Sequence, residues 1–199
     1  MQVSDASAEA SLDIPAWRKE ERKRLIAARM ALLAAEREAM DEAIRTRLEA
    51  LIGPLEGRVL SAYWPFRAEP DLRPMLRRMR DEGARIALPI VVAKGQPLIF
   101  REWLPGTKLA RGVWNIPYPE DGPEVVPDFS IAPVVGFDSG CYRLGYGGGF
   151  FDRTLASLPQ RPRCFGVGYE SQRIATIHPQ PHDIPMVAVV TERGVSEPE

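Results

Sequence analysis

The densest chemistry in this sequence lies in one run, Gly136-Phe-Asp-Ser-Gly-Cys-Tyr-Arg-Leu-Gly-Tyr-Gly-Gly-Gly-Phe-Phe-Asp-Arg153. It reads as a strand end, then glycines at 145, 147, 148 and 149, then a helix opened by two aromatics. Glycines let a backbone take positive φ and approach a ligand closely. The N-terminus of a helix adds unpaired N–H donors and the positive end of the helix dipole, which together suit an anion. Arg143 supplies a guanidinium fork for phosphate oxygens, and Asp152 a hard oxygen ligand for a magnesium ion bridging phosphates. The glycines by themselves suit a plain tight strand-to-helix turn equally well. The pattern is not the P-loop, which needs a Lys and a Ser/Thr here, nor the dinucleotide fingerprint.

The elements that must position this run follow from hydrophobic period. Met1 to Pro15 reads as a loose tail. From Ala16 to Gly53 the chain is rich in Arg, Lys, Glu, Ala and Leu without Gly or Pro, a helical stretch with a break near Ala34. Arg58–Trp64 reads as a strand, Asp71–Glu82 as a helix with Asp71 as N-cap, and Arg85–Val92 and Pro97–Trp103 as strands joined by a turn at Lys94-Gly95-Gln96. Leu104–Asp128 reads as a long loop with little regular structure, and such loops tend to be functional. Phe129–Val135, Arg163–Gly168 and Met186–Thr191 read as further strands, and Phe150–Leu158 as a short helix. Strands alternating with helices predict a single three-layer α/β/α domain over residues 16–192, with a mixed, largely parallel sheet. Residues 193–199 are expected to be a C-terminal tail.

A chain of 199 residues, 45% hydrophobic and 27% charged, is long enough to bury a core without disulfides or metals. Lys and Arg number 26 against 27 Asp and Glu, a balance that argues against nucleic acid or a membrane surface as partner. Cys141 and Cys164 lack zinc or redox spacing and read as free thiols. The first residues lack an apolar signal core and no apolar run is long enough to span a bilayer, so a cytoplasmic location is expected. There is no convincing Ser/His/Asp or Cys/His arrangement. His178 and His182, among prolines, read as loop hydrogen-bonding groups ahead of metal ligands, and Met75 and Met79 as core.

Phe137-Asp138 followed by Arg143-Leu-Gly-Tyr-Gly-Gly-Gly-Phe-Phe-Asp-Arg153 resembles the signature of the 5-formyltetrahydrofolate cyclo-ligases, also called methenyltetrahydrofolate synthetases. Arg18-Lys-Glu-Glu-Arg22 with Arg29, Tyr63-Trp-Pro-Phe-Arg-Ala-Glu69, and Gly166-Val-Gly-Tyr-Glu-Ser-Gln172 through Asp183 to Glu192 resemble the family's other blocks in order. The resemblance implies a Rossmann-like domain similar to the NagB/RpiA/CoA-transferase-like fold. It also implies ATP and Mg2+ as cofactors, 5-formyltetrahydrofolate as substrate, and a monomer or weak homodimer. It places Arg18 or Lys19, Arg22, Arg143, Gly145, Tyr146, Gly147, Gly148, Gly149 and Phe150 on ATP, with Arg143 catalytic. Trp64, Glu69, Tyr146 and Phe151 fall on the folate, and Asp152 and Asp183 on magnesium. Without the resemblance, the Arg-rich helix reads as a solvated face, Trp64 as sheet core, and Glu69 and Asp183 as loop charges. Four positions depart from the family pattern: Phe150 and Phe151 replace tyrosines, Cys141 stands where a glycine is expected, and Tyr118 replaces a glutamate. These motivate a second reading, a nucleotide- or folate-binding paralogue without turnover. A third reading gives the Arg-rich helix an RNA-associated role, against which the balanced charge counts.

Overall fold

The computed structural model describes residues 12–198, so all but the last few residues of the expected N-terminal tail lie outside the described residues. The first helix, α1 (Ile14–Met30), begins two residues earlier than its composition suggested, because Asp13 caps it by accepting from Ala16 N at 3.0 Å and Pro15 suits its first turn. The expected break is real: α2 (Ala34–Ile52) starts after an extended Leu33, whose N–H is taken by the Glu36 carboxylate. Along α2, Ile44, Leu48 and Ile52 recur at intervals of four and are buried.

There follow β1 (Val59–Ser61), α3 (Arg73–Asp81), β2 (Arg85–Val91), β3 (Leu98–Glu102), β4 (Leu109–Arg111), β5 (Pro117–Pro119) and β6 (Phe129–Pro133). The chain continues through β7 (Gly136–Phe137), β8 (Arg143–Leu144), α4 (Phe150–Ser157), β9 (Arg163–Val167), β10 (Ala188–Val190) and β11 (Val195–Ser196). Three expectations need correction. Asp71 is not the cap of α3; Leu72 holds that position, while Asp71 accepts from Arg73 N at 3.0 Å and pairs with its guanidinium. The 104–128 segment is not featureless, since β4 and β5 form a small antiparallel hairpin across a 3-10 turn. The expected C-terminal tail contributes β11, which pairs antiparallel with β10.

The main sheet has the order β11-β10-β9-β6-β1-β2-β3. Its five inner strands, from β10 to β2, run parallel, and an antiparallel strand closes each edge. Alternate residues serve opposite faces. Leu60, Ile131, Phe165, Val167, Ala188 and Val190 pack with Ile44 and Leu48 of α2 and Met75, Leu76 and Met79 of α3. Ala132, Cys164 and Val189 face the other way, toward Leu155 of α4 and Phe137. Helix α1 lies over neither layer; its Leu25 packs with Val135, Leu144 and Ile177. The fold is therefore α/β with a mixed, mostly parallel sheet.

From β1 the chain moves outward through β2 on one side, and from β6 outward through β9 and β10 on the other. The strand order thus parts between β1 and β6. In open α/β sheets the crevice beyond the carboxyl ends of strands at such a point is where ligands bind.

Candidate active site

A cavity of about 710 Å3 occupies that place. Tyr63 and Trp64, just past β1, Leu88 to Val91 at the end of β2 and Pro133 at the end of β6 line it, together with α1, the glycine turn and the β4–β5 hairpin. Its volume falls within the range of small-molecule pockets.

One part of the wall is ionic. Arg18, from α1, donates from Nε to Ile177 O at 3.0 Å and from Nη2 to His178 O at 2.9 Å and to Asp183 Oδ2 at 2.5 Å. The Asp183 carboxyl, although burial pushes it upward, is held below its usual range by Arg18 and the Gln180 N–H. Arg22, one turn on, donates from Nε to Gly145 O at 2.7 Å, and no carboxylate pairs with it among the described residues. Burial and the neighbouring Arg18 disfavour its charge, which is a reason for it to welcome an anion. Arg143 donates to Asp152 Oδ2 at 2.9 Å, and the Phe151 ring underlies its guanidinium at 5.0 Å. The Arg143 Nε is buried without a partner among the described residues. Asp152 also accepts from Ile184 N at 3.1 Å, which brings the 183–184 loop against the glycine turn.

The turn itself needs its glycines. Gly147 and Gly149 have φ of +92° and +62°, and a Cβ at Gly148 would sit 2.5 Å from the Phe150 ring. Gly149 also occupies the N-cap of α4, so the cap residue offers no side-chain acceptor to the first-turn N–H groups. Cys141, where the resemblance led us to expect a glycine, has φ +56°, the backbone region that favours glycine.

The other part of the wall is aromatic. Phe66 and Trp114 lie parallel at 6.0 Å between ring centroids, and Tyr146 meets both at 5.9 and 5.5 Å. Trp64 packs edge-on against Trp103, and Tyr118 of β5 also reaches the lining. Behind these rings is a buried polar group. Tyr146 Oη donates to Glu69 Oε1 at 2.7 Å, Phe66 N donates to Glu69 Oε2 at 2.9 Å, and Arg29 Nη2 donates to Tyr146 Oη at 2.6 Å. Burial pushes the Glu69 carboxyl up to about 7, even though Arg29, Tyr146 and the Phe66 N–H all favour its charge. Glu69 is preceded by Arg67 and Ala68, both at positive φ, a kink that costs on the order of 1–3 kcal/mol per residue and that the surroundings must hold.

The structure thus brings Arg18, Arg22, Arg143, Gly145 to Gly149 with Tyr146, Phe150, Phe151, Trp64, Glu69, Asp152 and Asp183 to one cavity. It does not bring Lys19, whose side chain is exposed and outside the lining, because the helical register turns Arg18 and Arg22 inward instead. His178 packs its ring against Trp17, and His182 lies 3.9 Å from Asp183. Asp138 of the signature is structural: it accepts from Tyr142 N and Ile177 N and ties the β7–β8 turn to the 177 loop. Phe66 and Trp114 were not singled out from the sequence; the long Pro/Gly-rich loop was the signal for Trp114.

The sequence model of the 5-formyltetrahydrofolate cyclo-ligase family matches residues 14–192. The chain belongs to that family. A 5-formyltetrahydrofolate cyclo-ligase of Mycolicibacterium smegmatis is 32% identical over 190 residues, covering 91% of this chain and 97% of the relative. One of Escherichia coli is 29% identical over 177 residues, covering 85% and 97%. The NMR structure of Aquifex aeolicus 5,10-methenyltetrahydrofolate synthetase superposes with a TM-score of 0.77 at 29% identity, covering 90% of this chain and 92% of that one. Family membership makes this chain an enzyme of the ligase class, and no helix among the described residues is long and apolar enough to cross a membrane.

Magnesium can be tested against the residues present. Among the described residues no three His, Cys, Asp or Glu side chains cluster into a ready cage. A magnesium ion arriving with phosphates needs only one or two carboxylates. Asp152 and Asp183, both lining the cavity and each with lone pairs beyond those already engaged, fit that mode.

Proposed function

We propose that this chain converts 5-formyltetrahydrofolate and ATP into 5,10-methenyltetrahydrofolate, ADP and phosphate. The observation that carries the reading is the juxtaposition, in one cavity, of an arginine-flanked glycine turn and an aromatic wall backed by a carboxylate. The formyl oxygen attacks the γ-phosphorus, and ADP leaves. N10 then adds to the activated formyl carbon and loses its proton, and the carbon–oxygen bond breaks as phosphate departs. Without phosphorylation the leaving group would be hydroxide. Transfer of this kind is mainly positioning and charge neutralisation, so no protein nucleophile is needed.

In this reading Arg18, Arg22, Arg143 and the amides from Gly145 to Phe150 hold the triphosphate, with Arg143 facing the transferred group. Asp152 and Asp183 would hold magnesium, which when bound neutralises charge on the phosphates. The two carboxylates keep Arg18 and Arg143 paired and oriented before any nucleotide arrives. Trp64, Phe151 and Tyr146 offer faces to the pterin, and Glu69 accepts from its donor-rich edge. We read the enzyme as acting in the cytoplasm as a monomer or weak homodimer.

The test is direct: methenyltetrahydrofolate absorbs in the near ultraviolet, so its ATP- and magnesium-dependent appearance can be followed. No product at high enzyme concentration would remove the proposal, and tight folate binding without ATP consumption would favour a non-catalytic paralogue.

A further inference from the structure

Arg29 sits on the same helix as Arg18 and Arg22 but is buried from solvent. Its guanidinium reaches three separate segments. Nε donates to Arg67 O at 2.9 Å, Nη1 to Val134 O at 3.2 Å just past β6, and Nη2 to Tyr146 Oη at 2.6 Å. Glu69 Oε1 lies 3.8 Å from Nη2. Tying α1 to the sheet would need only the first two of these bonds. The third has a directional consequence. A guanidinium can only donate, so Tyr146 must receive Arg29's proton and send its own hydroxyl proton to Glu69. With the Phe66 N–H on its other oxygen, Glu69 is held as an acceptor on both sides.

We infer that Arg29 is a positioning residue for folate recognition: it pins the strained Arg67–Ala68 kink and, through Tyr146, presents Glu69 to the cavity as a carboxylate. The inference rests on the folate reading above. Its chemistry is that of a donor-rich heterocycle edge, which a carboxylate binds and a neutral carboxyl, itself part donor, binds poorly. The groups around Glu69 are Arg29 from α1, Arg67 in the same loop, Tyr146 from the glycine turn and Tyr63 past β1, with the Tyr169–Asp41 pair beyond Tyr63. Arg37 and Glu38 of α2 lie with Asp71 and Arg73 across a smaller recess. Among the described residues only Arg29 stands within ion-pair distance of Glu69, while Arg67 turns its guanidinium over the Phe66 ring and Arg73 pairs with Asp71. Arg29 is therefore the cation that meets Glu69 from below.

The experiment compares the wild type with Tyr146→Phe, Arg29→Met and Arg29→Lys in the methenyl-product assay across neutral pH. A wild type without turnover would overturn the functional reading and this inference with it. With turnover established, Tyr146→Phe and Arg29→Met should raise the KM for folate by about tenfold, as for loss of one charge-assisted hydrogen bond. The acid limb of kcat/KM for folate should move to higher pH in both, with Arg29→Lys restoring part of the shift. If folate KM and the acid limb stay at wild-type values while only thermal stability falls, Arg29 is a structural tie and the inference is overturned. Should Arg29→Met fail to fold, Arg29→Lys, which keeps the charge but loses the fork to Tyr146 and Arg67 O, decides the question by the same two readouts.

Discussion

Arg22 and Arg143 line one cavity yet are held differently, and this separates their mutants. Among the described residues Arg22 makes a single hydrogen bond, to Gly145 O, so Arg22→Ala should keep its thermal midpoint while kcat/KM for ATP falls by about a hundredfold or more, as when one preorganised donor is lost. Arg143→Ala should lose comparable activity and also stability, because it strands the largely buried Asp152 carboxylate without its cation, at a cost of about 3–5 kcal/mol. Steady-state kinetics and thermal melts on both variants check the contrast. Glu69 offers a second test. Its folded carboxyl titrates at about 7 against 4.5 for the free group, so the native chain binds this proton more tightly than the unfolded chain. The group's contribution to stability is full below the lower value and is lost as pH rises through the higher one. Measured against the non-titrating Glu69→Gln, the wild-type melting midpoint should fall across that window. Parallel curves would mean that Glu69 is not perturbed.

At the scale of elements, α1 is the part that must not move, since it carries Arg18, Arg22 and Arg29 on its inward face. Leu25 seats it, buried against Val135, Leu144 and Ile177. Leu25→Ala should lower the unfolding free energy by about 2–5 kcal/mol, read as a lower urea midpoint at constant slope. The helices and inner strands were legible because burial imposes a period on their residues. The β4–β5 hairpin was not, for its three-residue strands interleave with Gly112, Pro117 and Pro119, and a pattern that short carries no period. It matters because it brings Trp114 over Phe66. β7, β8 and β11, two residues each, escaped for the same reason.

Taken as a whole, the molecule places its cavity where the sheet order parts between β1 and β6, so ligands join the two halves with α1 and the glycine turn. Occupancy should therefore stabilise the entire fold. With magnesium and ATP at about a hundred times the dissociation constant, the gain should be roughly 2.7 kcal/mol by mass action. The melting midpoint should rise accordingly in the wild type and stay flat in Arg22→Ala at the same concentration. An equal rise in both would show that Arg22 does not hold the nucleotide.

Residue type and order along the chain carried the α/β class, the glycine turn with its arginine and aspartate, and membership of a family with a long, specific signature. These are local properties: backbone freedom, periodic burial and contiguous motifs are all written in neighbouring residues. Folding alone could sort the arginines of α1, turning Lys19 to solvent, keeping Arg18 and Arg22 at the cavity and sinking Arg29 beneath it. It alone could join Glu69 to Tyr146, residues 77 positions apart. Long-range pairing depends on which strands lie side by side, and that order is settled by packing the entire chain at once.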